Sequence, residues 1–221
     1  MRKSRAEKLF NIGNNRYDII VIGGGVIGAT IAFKTSRVGL STLLLEKHDF
    51  SYGASSRTAK MLNGGFNDMT AKSIIPTVYK VRERNNLMYK SSASQIGILQ
   101  PIYEYGKSGI FRQELKSGLY DLLSLFSPIK RHVSHSRNSA LECLPDLINN
   151  DVIAGIEYYE GILDDSRYVM ELLLKAEENG ADILNYAEVK AFEYTDKEIG
   201  KIILSDRITG KIYEASAKNI V

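Results

Sequence analysis

Three glycines near the N-terminus have the spacing of a phosphate-binding loop. Gly23, Gly25 and Gly28 form the pattern Gly-x-Gly-x-x-Gly, which follows a β-branched run and precedes a helical stretch. In such a loop the first glycine permits a tight turn, the second lets the backbone approach a pyrophosphate, and the third allows a helix to pack closely on a strand. The helix that begins there offers free N–H groups and the positive end of its dipole to an anion. The spacing therefore predicts a dinucleotide site.

An acidic residue narrows the class of dinucleotide. Glu46 follows Gly28 after 17 intervening residues, at the end of the next apolar run. A carboxylate there can accept hydrogen bonds from both ribose hydroxyls of an adenosine and would repel a 2′-phosphate. These residues favour FAD or NAD over NADP. The alternative is a glycine turn in an α/β sheet that binds no ligand.

Short elements must hold these residues in place. The sequence predicts a buried strand over 17–22, a helix over 26–38 that ends at Gly39, and a second strand over 41–45. A β-α-β unit of this length implies parallel strands joined by a right-handed crossover. The predicted fold class is therefore α/β, with a Rossmann-like FAD/NAD(P)-binding domain.

Two further segments carry a resemblance to a known family. Residues 54–65 read Ala-Ser-Ser-Arg-Thr-Ala-Lys-Met-Leu-Asn-Gly-Gly, and residues 155–167 read Gly-Ile-Glu-Tyr-Tyr-Glu-Gly-Ile-Leu-Asp-Asp-Ser-Arg. Both are similar to stretches of the FAD-dependent glycerol-3-phosphate dehydrogenases, in the D-amino-acid-oxidase-like flavoprotein superfamily. The first family pattern runs Thr-Ser-Ser-x-Ser-Ser-Lys-Leu-Ile-His-Gly-Gly. The resemblance covers residues 17–221 and implies FAD as the cofactor.

The resemblance also implies which residues contact the cofactor. In the family, serines and a lysine after the acidic residue run beside the flavin pyrophosphate and ribityl chain, and these correspond to Ser55, Ser56 and Lys60. A serine-rich helix cap with a surface lysine is the alternative for these three residues. No catalytic residue is assigned. The full set of candidate cofactor-binding residues is Gly23, Gly25, Val26, Ile27, Gly28, Glu46, Lys47, Ser55, Ser56, Lys60 and Gly64.

The chemistry that the resemblance implies is the oxidation of glycerol 3-phosphate to dihydroxyacetone phosphate, by hydride transfer from C2 to flavin N5. Electrons then pass to a quinone or to another acceptor. The flavin performs the difficult step, while the protein must orient the substrate, deprotonate its hydroxyl and bind its phosphate. We expect a cytoplasmic chain, or one held peripherally on the inner face of the cell membrane.

One departure from the family pattern bears on the substrate. The family usually continues Gly-Gly with Leu-Arg-Tyr, whose arginine helps hold the substrate, whereas this chain has Phe66, Asn67 and Asp68. The family histidine before the glycines is replaced by Asn63. Losing one charge-assisted contact costs roughly 1.5 to 3 kcal/mol, and an acid at 68 would repel a phosphate. Either another basic residue substitutes or the substrate differs.

A second departure is at residue 221. Val221 ends an apolar run at the point where relatives continue into an Asn-Ala-x-Gly-Pro strand and turn. The resemblance therefore implies the first half or less of such an enzyme, from a truncated or split reading frame. Two other hypotheses stay open. One is an inactive or partner-dependent FAD-binding module whose sheet a second polypeptide completes, and the other is a fragment of an amine or amino-acid oxidase.

The rest of the chain is divided by the resemblance and by local patterns. We expect a basic tail over 1–16, a discontinuous FAD-binding domain over 17–66 and 166–221, and part of an inserted α+β substrate domain over 67–165. Local patterns predict helices over 67–92, 111–126 and 166–179, a strand over 155–161, a solvated loop over 130–137, a hairpin over 201–214 that turns at Thr209-Gly210, and a final apolar segment over 217–221.

Composition excludes several classes of protein. The 221 residues are 44% hydrophobic and 25% charged, which is ordinary globular composition. The net charge of +3 comes from the N-terminal segment, since residues 1–16 hold five basic residues and one acid and the remainder sums to −1. A nearly neutral body gives no argument for binding nucleic acid. We expect the basic tail to be solvated and disordered.

Cysteine, histidine and hydropathy exclude other sites. The single cysteine, Cys143, cannot form an internal disulfide, suits a reducing compartment and is expected to be partly buried and inert. His132 and His135 are three residues apart, but the local sequence has no carboxylate or thiolate to complete a metal site. The longest uncharged stretch, residues 19–33, is shorter than the roughly 20 residues that span a bilayer. The glycine spacing also disfavours a secretory signal.

Overall fold

The computed structural model of the chain describes residues 3–70, 72–104, 109–124, 129–145, 151–195 and 198–221. In chain order its helices and strands are α1 (Arg5–Ile12), β1 (Arg16–Ile22), α2 (Val26–Arg37), β2 (Thr42–Leu45), β3 (Met61–Leu62), α3 (Ile74–Lys90), β4 (Ser94–Tyr103), α4 (Ile110–Leu123), β5 (Val133–Ser136), α5 (Arg137–Cys143), β6 (Val152–Ile162), α6 (Asp165–Glu178), β7 (Asp182–Leu184), β8 (Ala187–Thr195), β9 (Glu198–Asp206) and β10 (Ile212–Ile220), with a short 3₁₀ turn at Ala54–Ser56.

The chain divides into two compact units. The first unit comprises Met1–Ala59 and Asp165–Val221, and the second comprises Lys60–Asp164. The domain assignment made from the sequence, with its boundaries at 66 and 165, stays a prediction. Among the described residues, no helix is both long and apolar enough to span a membrane.

The first unit contains a six-stranded sheet in the order β7-β2-β1-β10-β9-β8. Strand β1 pairs in parallel with β2, with Ile20 opposite Leu43, and helix α2 connects them. Strand β2 also pairs in parallel with β7. The predicted β-α-β unit and the α/β fold class are therefore confirmed.

Strand β10 joins two parts of this sheet. Its first half pairs antiparallel with β9, and its second half pairs in parallel with β1, where Ile220 lies opposite Ile20. Beyond the strand, the Val221 N–H donates to Ile20 O at 3.0 Å. The sequence predicted separate segments over 211–214 and 217–221, but the structure makes them one strand. The small buried Ala215 and Ala217 allow this strand to continue across the core.

Both faces of the parallel strands are covered, which explains why β2 is buried at all four positions. Leu43 and Leu45 belong to one core cluster with Ile202 of β9. Leu44 belongs to a second cluster, in which Ala29 and Ala32 of α2 are fully buried. Small side chains at these two positions let the helix lie close to the sheet.

The N-terminal segment differs from the predicted disordered tail. Over residues 3–12 that prediction is wrong, because α1 forms there, is capped by a Ser4–Glu7 capping box and buries Leu9 and Ile12. The basic side chains of this segment have acidic partners that are distant in sequence, which a local reading cannot supply. The ion pairs are Lys3–Asp182 at 3.0 Å, Arg5–Asp206 at 2.6 Å and Lys8–Glu177.

The second unit is built on β6. Strand β4 pairs antiparallel along one edge of β6, and β3 and β5 pair antiparallel along the other. Its main core cluster contains Phe66, Met69, Val81 of α3, Tyr120 of α4 and Tyr158 of β6. The strand predicted over 155–161 therefore exists and is longer at both ends.

Both helices predicted in this unit exist, but the first begins seven residues later than predicted. The helix predicted over 67–92 is confirmed over Ile74–Lys90, with Pro76 in its first turn, where a missing N–H breaks no helical hydrogen bond. The helix predicted over 111–126 is Ile110–Leu123, and residues 125 and 126 lie outside the described residues. In the first unit, α6 begins at Asp165 and is followed by Gly180 at φ +93°.

Two expectations about residues 130–143 are wrong. The predicted solvated loop contains β5, which pairs with β6 so that Val133 lies opposite Glu157. Helix α5 follows at once, because the Ser136 hydroxyl caps it by accepting from Ser139 N–H. Cys143 is the last residue of α5 and is exposed, not partly buried.

Candidate cofactor site

The glycine loop brings the start of α2 against the end of β1. Gly23 has φ +117°, in the left-handed region that glycine tolerates. A Cβ on Gly28 would lie 1.9 Å from Gly23 O and 3.3 Å from a methyl of Val21. Only glycine fits this contact, so the first turn of α2 depends on residue 28.

The N-terminus of α2 presents backbone N–H groups as hydrogen-bond donors. The first helical hydrogen bond runs from Ala29 N–H to Gly25 O at 2.9 Å. Helix geometry therefore leaves the N–H groups of Gly25, Ile27 and Gly28 without an acceptor inside the helix. Together with the helix dipole they form a site that suits a phosphate.

The Ser55 hydroxyl reaches the same helix end. Its Oγ accepts a hydrogen bond from Val26 N–H at 2.9 Å, so a serine from the 3₁₀ turn caps α2 from outside. Ser56 lies in the same turn and donates to Gly53 O at 3.3 Å. Nearby, the Thr58 hydroxyl bonds Asp165 at 2.6 Å and joins this segment to the start of α6.

An open cleft of about 430 Å³ lies at this helix end. Its walls are mainly apolar, and Ile27 is 75% exposed. None of its lining residues in the described part of the chain is charged, so backbone dipoles supply its positive potential. The lining residues are Val21, Ile22, Gly23, Gly25, Val26, Ile27, Gly28, Ile31, Ala54, Ser55, Thr58 and Val221.

Glu46 holds the glycine loop from the end of β2. One carboxylate oxygen accepts from Gly24 N–H at 2.7 Å, and the other accepts from His48 N–H at 2.7 Å. Each carboxylate oxygen has room for a second donor. The predicted contact with ribose hydroxyls is therefore compatible with this bracing role. The Lys47 side chain is exposed, and its carbonyl accepts from Arg207 at 3.0 Å.

Two predicted site residues belong to the second unit. Lys60 has φ +58°, and its ammonium lies 3.5 Å from the Asp164 carboxylate. Gly64 is buried, and its N–H donates to Glu160 at 2.9 Å. A Cβ on Gly64 would lie 2.0 Å from the Tyr120 hydroxyl. Gly64 therefore has a structural reason to be glycine within its own unit.

Gly64 lies against a buried polar network. Arg84 donates to Glu160 at 2.9 Å and to the Tyr120 hydroxyl at 2.7 Å, and Tyr120 donates to the other Glu160 oxygen at 2.7 Å. The Arg84 and Glu160 side chains are 1% and 2% exposed. Burial, mainly, raises the pKa of Tyr120. Tyr120 is therefore a neutral donor in this network.

The residues that depart from the family pattern have partners in the second unit. The Asn67 amide donates to the Tyr158 hydroxyl at 3.0 Å, and the Asp68 carboxylate pairs with Lys80 at 3.0 Å. The Lys116 ammonium lies 3.5 Å from Asn67 O. A basic group thus stands beside position 67, and the charge of Asp68 has a cationic neighbour.

The histidines have carboxylate neighbours that the local sequence did not reveal. His132 Nδ1 lies 2.7 Å from Asp121 and Nε2 lies 3.4 Å from Glu114, both of which are on α4. Across the described ranges, however, no group of three or more His, Cys, Asp or Glu residues could hold a metal ion.

Sequence reasoning missed several residues at the cleft. Val221 reaches it because β10 pairs with β1 some 200 positions away, and no local pattern could indicate this. Phe50 is also near, since a Cβ on Gly24 would lie 2.7 Å from its ring. Of these residues, only Thr58 could have been predicted locally, because it lies between Ser55 and Lys60 in the segment that resembles the family pattern.

Comparison with known proteins identifies the family to which the chain belongs. A family model described as FAD dependent oxidoreductase matches residues 18–221. An aerobic glycerol-3-phosphate dehydrogenase of Staphylococcus haemolyticus is 33% identical over 216 residues, which are 96% of this chain and 38% of that protein. The chain thus spans well under half the length of this relative.

Solved structures have the same fold. Glycerol-3-phosphate dehydrogenase from Bacillus halodurans, complexed with FAD, matches with a TM-score of 0.73 and 24% identity, over 98% of this chain and 36% of that one. L-proline dehydrogenase from P. horikoshii matches with a TM-score of 0.60 and 23% identity, over 93% of this chain and 52% of that one. These two enzymes are named for different substrates, so the shared fold alone does not identify a substrate.

Proposed function

The chain belongs to the family of FAD-dependent oxidoreductases, and from that premise we propose that its first unit holds the adenosine diphosphate half of FAD. The observation that carries the proposal is the N-terminus of α2. There, N–H groups of the glycine loop open into an uncharged cleft, and Glu46 lies at the end of the adjacent parallel strand. Backbone donors and one acidic residue suit a pyrophosphate and a ribose.

The proposed cofactor-binding residues contact different parts of FAD. The N–H groups of Gly25, Ile27 and Gly28 would donate to phosphate oxygens, and Glu46 would accept from ribose hydroxyls. Val26 and Ile27 supply apolar surface at the cleft. Ser55 and Ser56 are proposed to contact the pyrophosphate and ribityl region, with Lys47, Lys60, Gly23 and Gly64 completing the set.

We further propose that the whole enzyme oxidises sn-glycerol 3-phosphate to dihydroxyacetone phosphate. Bound FAD would supply the two-electron acceptor, after which electrons pass to a quinone or another acceptor. The similarity to glycerol-3-phosphate dehydrogenases supports this substrate. The chain covers 38% of that relative's length, so the activity is proposed for the whole enzyme.

The location also belongs to the proposal. We propose a cytoplasmic protein that is peripheral to the membrane only where it meets a quinone. Basic residues near an anionic surface contribute about 1 kcal/mol each. Lys3, Arg5 and Lys8, however, are paired with Asp182, Asp206 and Glu177. Their pairing weakens the argument for an electrostatic anchor in this segment.

A flavin titration tests the proposal. The full chain is incubated with FAD, freed of excess cofactor and scanned for the visible flavin bands. Glycerol 3-phosphate, glycine or proline is then added to separate samples without oxygen. Bleaching of the longer-wavelength band is the expected result. Bound flavin that does not bleach supports a module that needs a partner, and bleaching by glycine or proline instead supports an amino-acid oxidase fragment. Absence of bound flavin would overturn the proposal.

A matched pair of variants ties flavin binding to the cleft. Glu46→Gln should weaken FAD binding about tenfold or more, since a charge-assisted hydrogen bond contributes roughly 1.5 to 3 kcal/mol. Glu142→Gln removes the same charge at an exposed position of α5 and should leave FAD binding unchanged. Equal affinity in the two variants would place the cofactor elsewhere.

A further inference from the structure

A second pocket lies wholly inside the second unit. It has a volume of about 460 Å³ and lies between α4 and the segment that leads into α3. Its residues come from two stretches, 67–74 and 112–119, whose nearest ends are 38 positions apart, so no motif marks it. Its lining residues are Asn67, Met69, Thr70, Ile74, Arg112, Gln113, Leu115, Lys116 and Leu119.

The charges in this pocket are all positive. Arg112 and Lys116 are its charged lining residues, and no acidic residue lines it within the described part of the chain. Neither cation forms an ion pair among the described residues. Asp68, whose charge acts on Lys116, forms its ion pair with Lys80 at 3.0 Å. Within the described ranges, therefore, neither cation of the pocket has an ion-pair partner of its own.

This arrangement works against stability. Arg112 and Lys116 are four residues apart on α4, a spacing at which like charges repel and destabilise a helix. The Lys116 ammonium lies 4.6 Å from the Phe66 ring centroid and 3.5 Å from Asn67 O. Burial lowers the pKa of Lys116; Asp68 opposes this shift, and Arg112 adds to it. An anion that bridges the two cations would remove the repulsion.

We infer that this pocket binds the phosphate group of a small phosphate monoester, with Lys116 as the main cation and Arg112 as the second. The inference rests on the proposed function, since it assigns the phosphate-binding residues of that substrate. Two positive charges favour a dianion over a carboxylate. The buried Met69 and the partly buried Ile74 and Leu119 line the pocket and reduce solvent screening around the bound group.

Anion titrations of the full chain, followed by calorimetry at constant ionic strength, test the inference. The probes are inorganic phosphate, glycerol 3-phosphate, acetate and uncharged glycerol. We expect both phosphates to bind, acetate to bind more weakly, and glycerol not to bind. Absence of phosphate binding, or acetate binding as tight as that of phosphate, would overturn the assignment.

Variants locate the bound phosphate. Lys116→Met keeps the apolar stem and should weaken phosphate binding by about 10- to 150-fold, the value of one charge-assisted contact. Lys116→Arg should restore it, and Arg112→Gln should weaken it less. Lys90→Met removes a charge at the far end of α3 and should have no effect. Phosphate binding that Lys116→Met leaves unchanged, or that Lys90→Met weakens equally, would overturn the inference.

The flavin spectrum of the same samples separates this inference from the proposed function. Phosphate binding that depends on Lys116 in a chain that takes up no flavin would contradict the proposed function and support the pocket. Bound flavin, together with phosphate binding that does not depend on Lys116, would support the proposed function and contradict the pocket. A melting curve for each variant excludes unfolding, and Lys116→Arg retains the charge if Lys116→Met fails to fold.

Discussion

The two units offer positive potential to an anion in different ways. In the first unit, the N-terminus of α2 uses backbone N–H groups, and the described cleft around it has no cationic side chain. In the second unit, the pocket on α4 uses the side chains of Arg112 and Lys116. One region depends on how closely the backbone can pack, and the other depends on two side-chain charges.

The difference determines how each region can fail. Backbone donors cannot be removed by changing one side chain, so the phosphate site at the end of α2 is lost only through changes that move the helix. Side-chain cations can be removed singly and are screened by salt where they are exposed. The cofactor cleft should therefore be destroyed by added volume, and the α4 pocket by lost charge.

The largest effect is expected when volume is added at the glycine loop. In Gly28→Ala the new Cβ would lie 1.9 Å from Gly23 O, a clash that backbone movement must relieve. The loss in free energy of unfolding should exceed about 3 kcal/mol, the upper end of ordinary overpacking, and FAD binding should be lost. Thermal unfolding and flavin uptake measure the two effects.

The matched control for that substitution is Gly53→Ala. Gly53 has φ −81°, and a Cβ there would meet nothing within 4 Å. Gly53 precedes the 3₁₀ turn that carries Ser55, so Gly53→Ala adds a methyl group near the cleft without a clash. If Gly28→Ala bound FAD as well as Gly53→Ala does, the cleft would not depend on the packing of α2 against β1.

The next effect contrasts a paired cation with an unpaired one inside the second unit. Glu160→Gln leaves Arg84 buried without its counter-charge, and breaking a buried pair in this way costs about 3 to 5 kcal/mol. Lys116→Met should cost little or no stability, because no acid in the described part of the chain forms an ion pair with Lys116. Hydrogen exchange of the β6 amides reports the stability of this unit separately.

Asp68→Asn is the comparison for Glu160→Gln. It breaks an ion pair with Lys80 whose side chains are 64% and 47% exposed, and exposed pairs contribute little. Similar loss of protection in both variants would mean that the Arg84 network does not hold the unit together.

The two regions also differ in how far the sequence predicts them. Gly23, Gly28 and Glu46 lie within one β-α-β unit, so local spacing predicted their elements and their proximity. The α4 pocket joins residues 67–74 to residues 112–119, and the N-terminal cations pair with acids about 170 to 200 residues away. Neither arrangement has a local period. Strand β5 likewise depends on a distant partner, because it pairs with β6, and the loop-like composition of residues 130–137 gives no sign of this pairing.

The smallest effect concerns Ser55, whose hydroxyl caps the N-terminus of α2 at the cofactor cleft. Ser55→Ala removes the hydroxyl that accepts from Val26 N–H at 2.9 Å. Losing such a cap costs about 1 kcal/mol, or a fall in melting temperature of roughly 2 to 4 °C for a chain of this size. Because one neutral hydrogen bond contributes about 0.5 to 1.5 kcal/mol, FAD binding should weaken by only a few fold if Ser55 also contacts the cofactor.

The control is Ser56→Ala. The Ser56 hydroxyl donates a 3.3 Å hydrogen bond inside its own turn, so its loss should lower the melting temperature less. If Ser55→Ala instead bound FAD more tightly, the serine would be competing with the phosphate for the end of α2 and would not be a cofactor ligand.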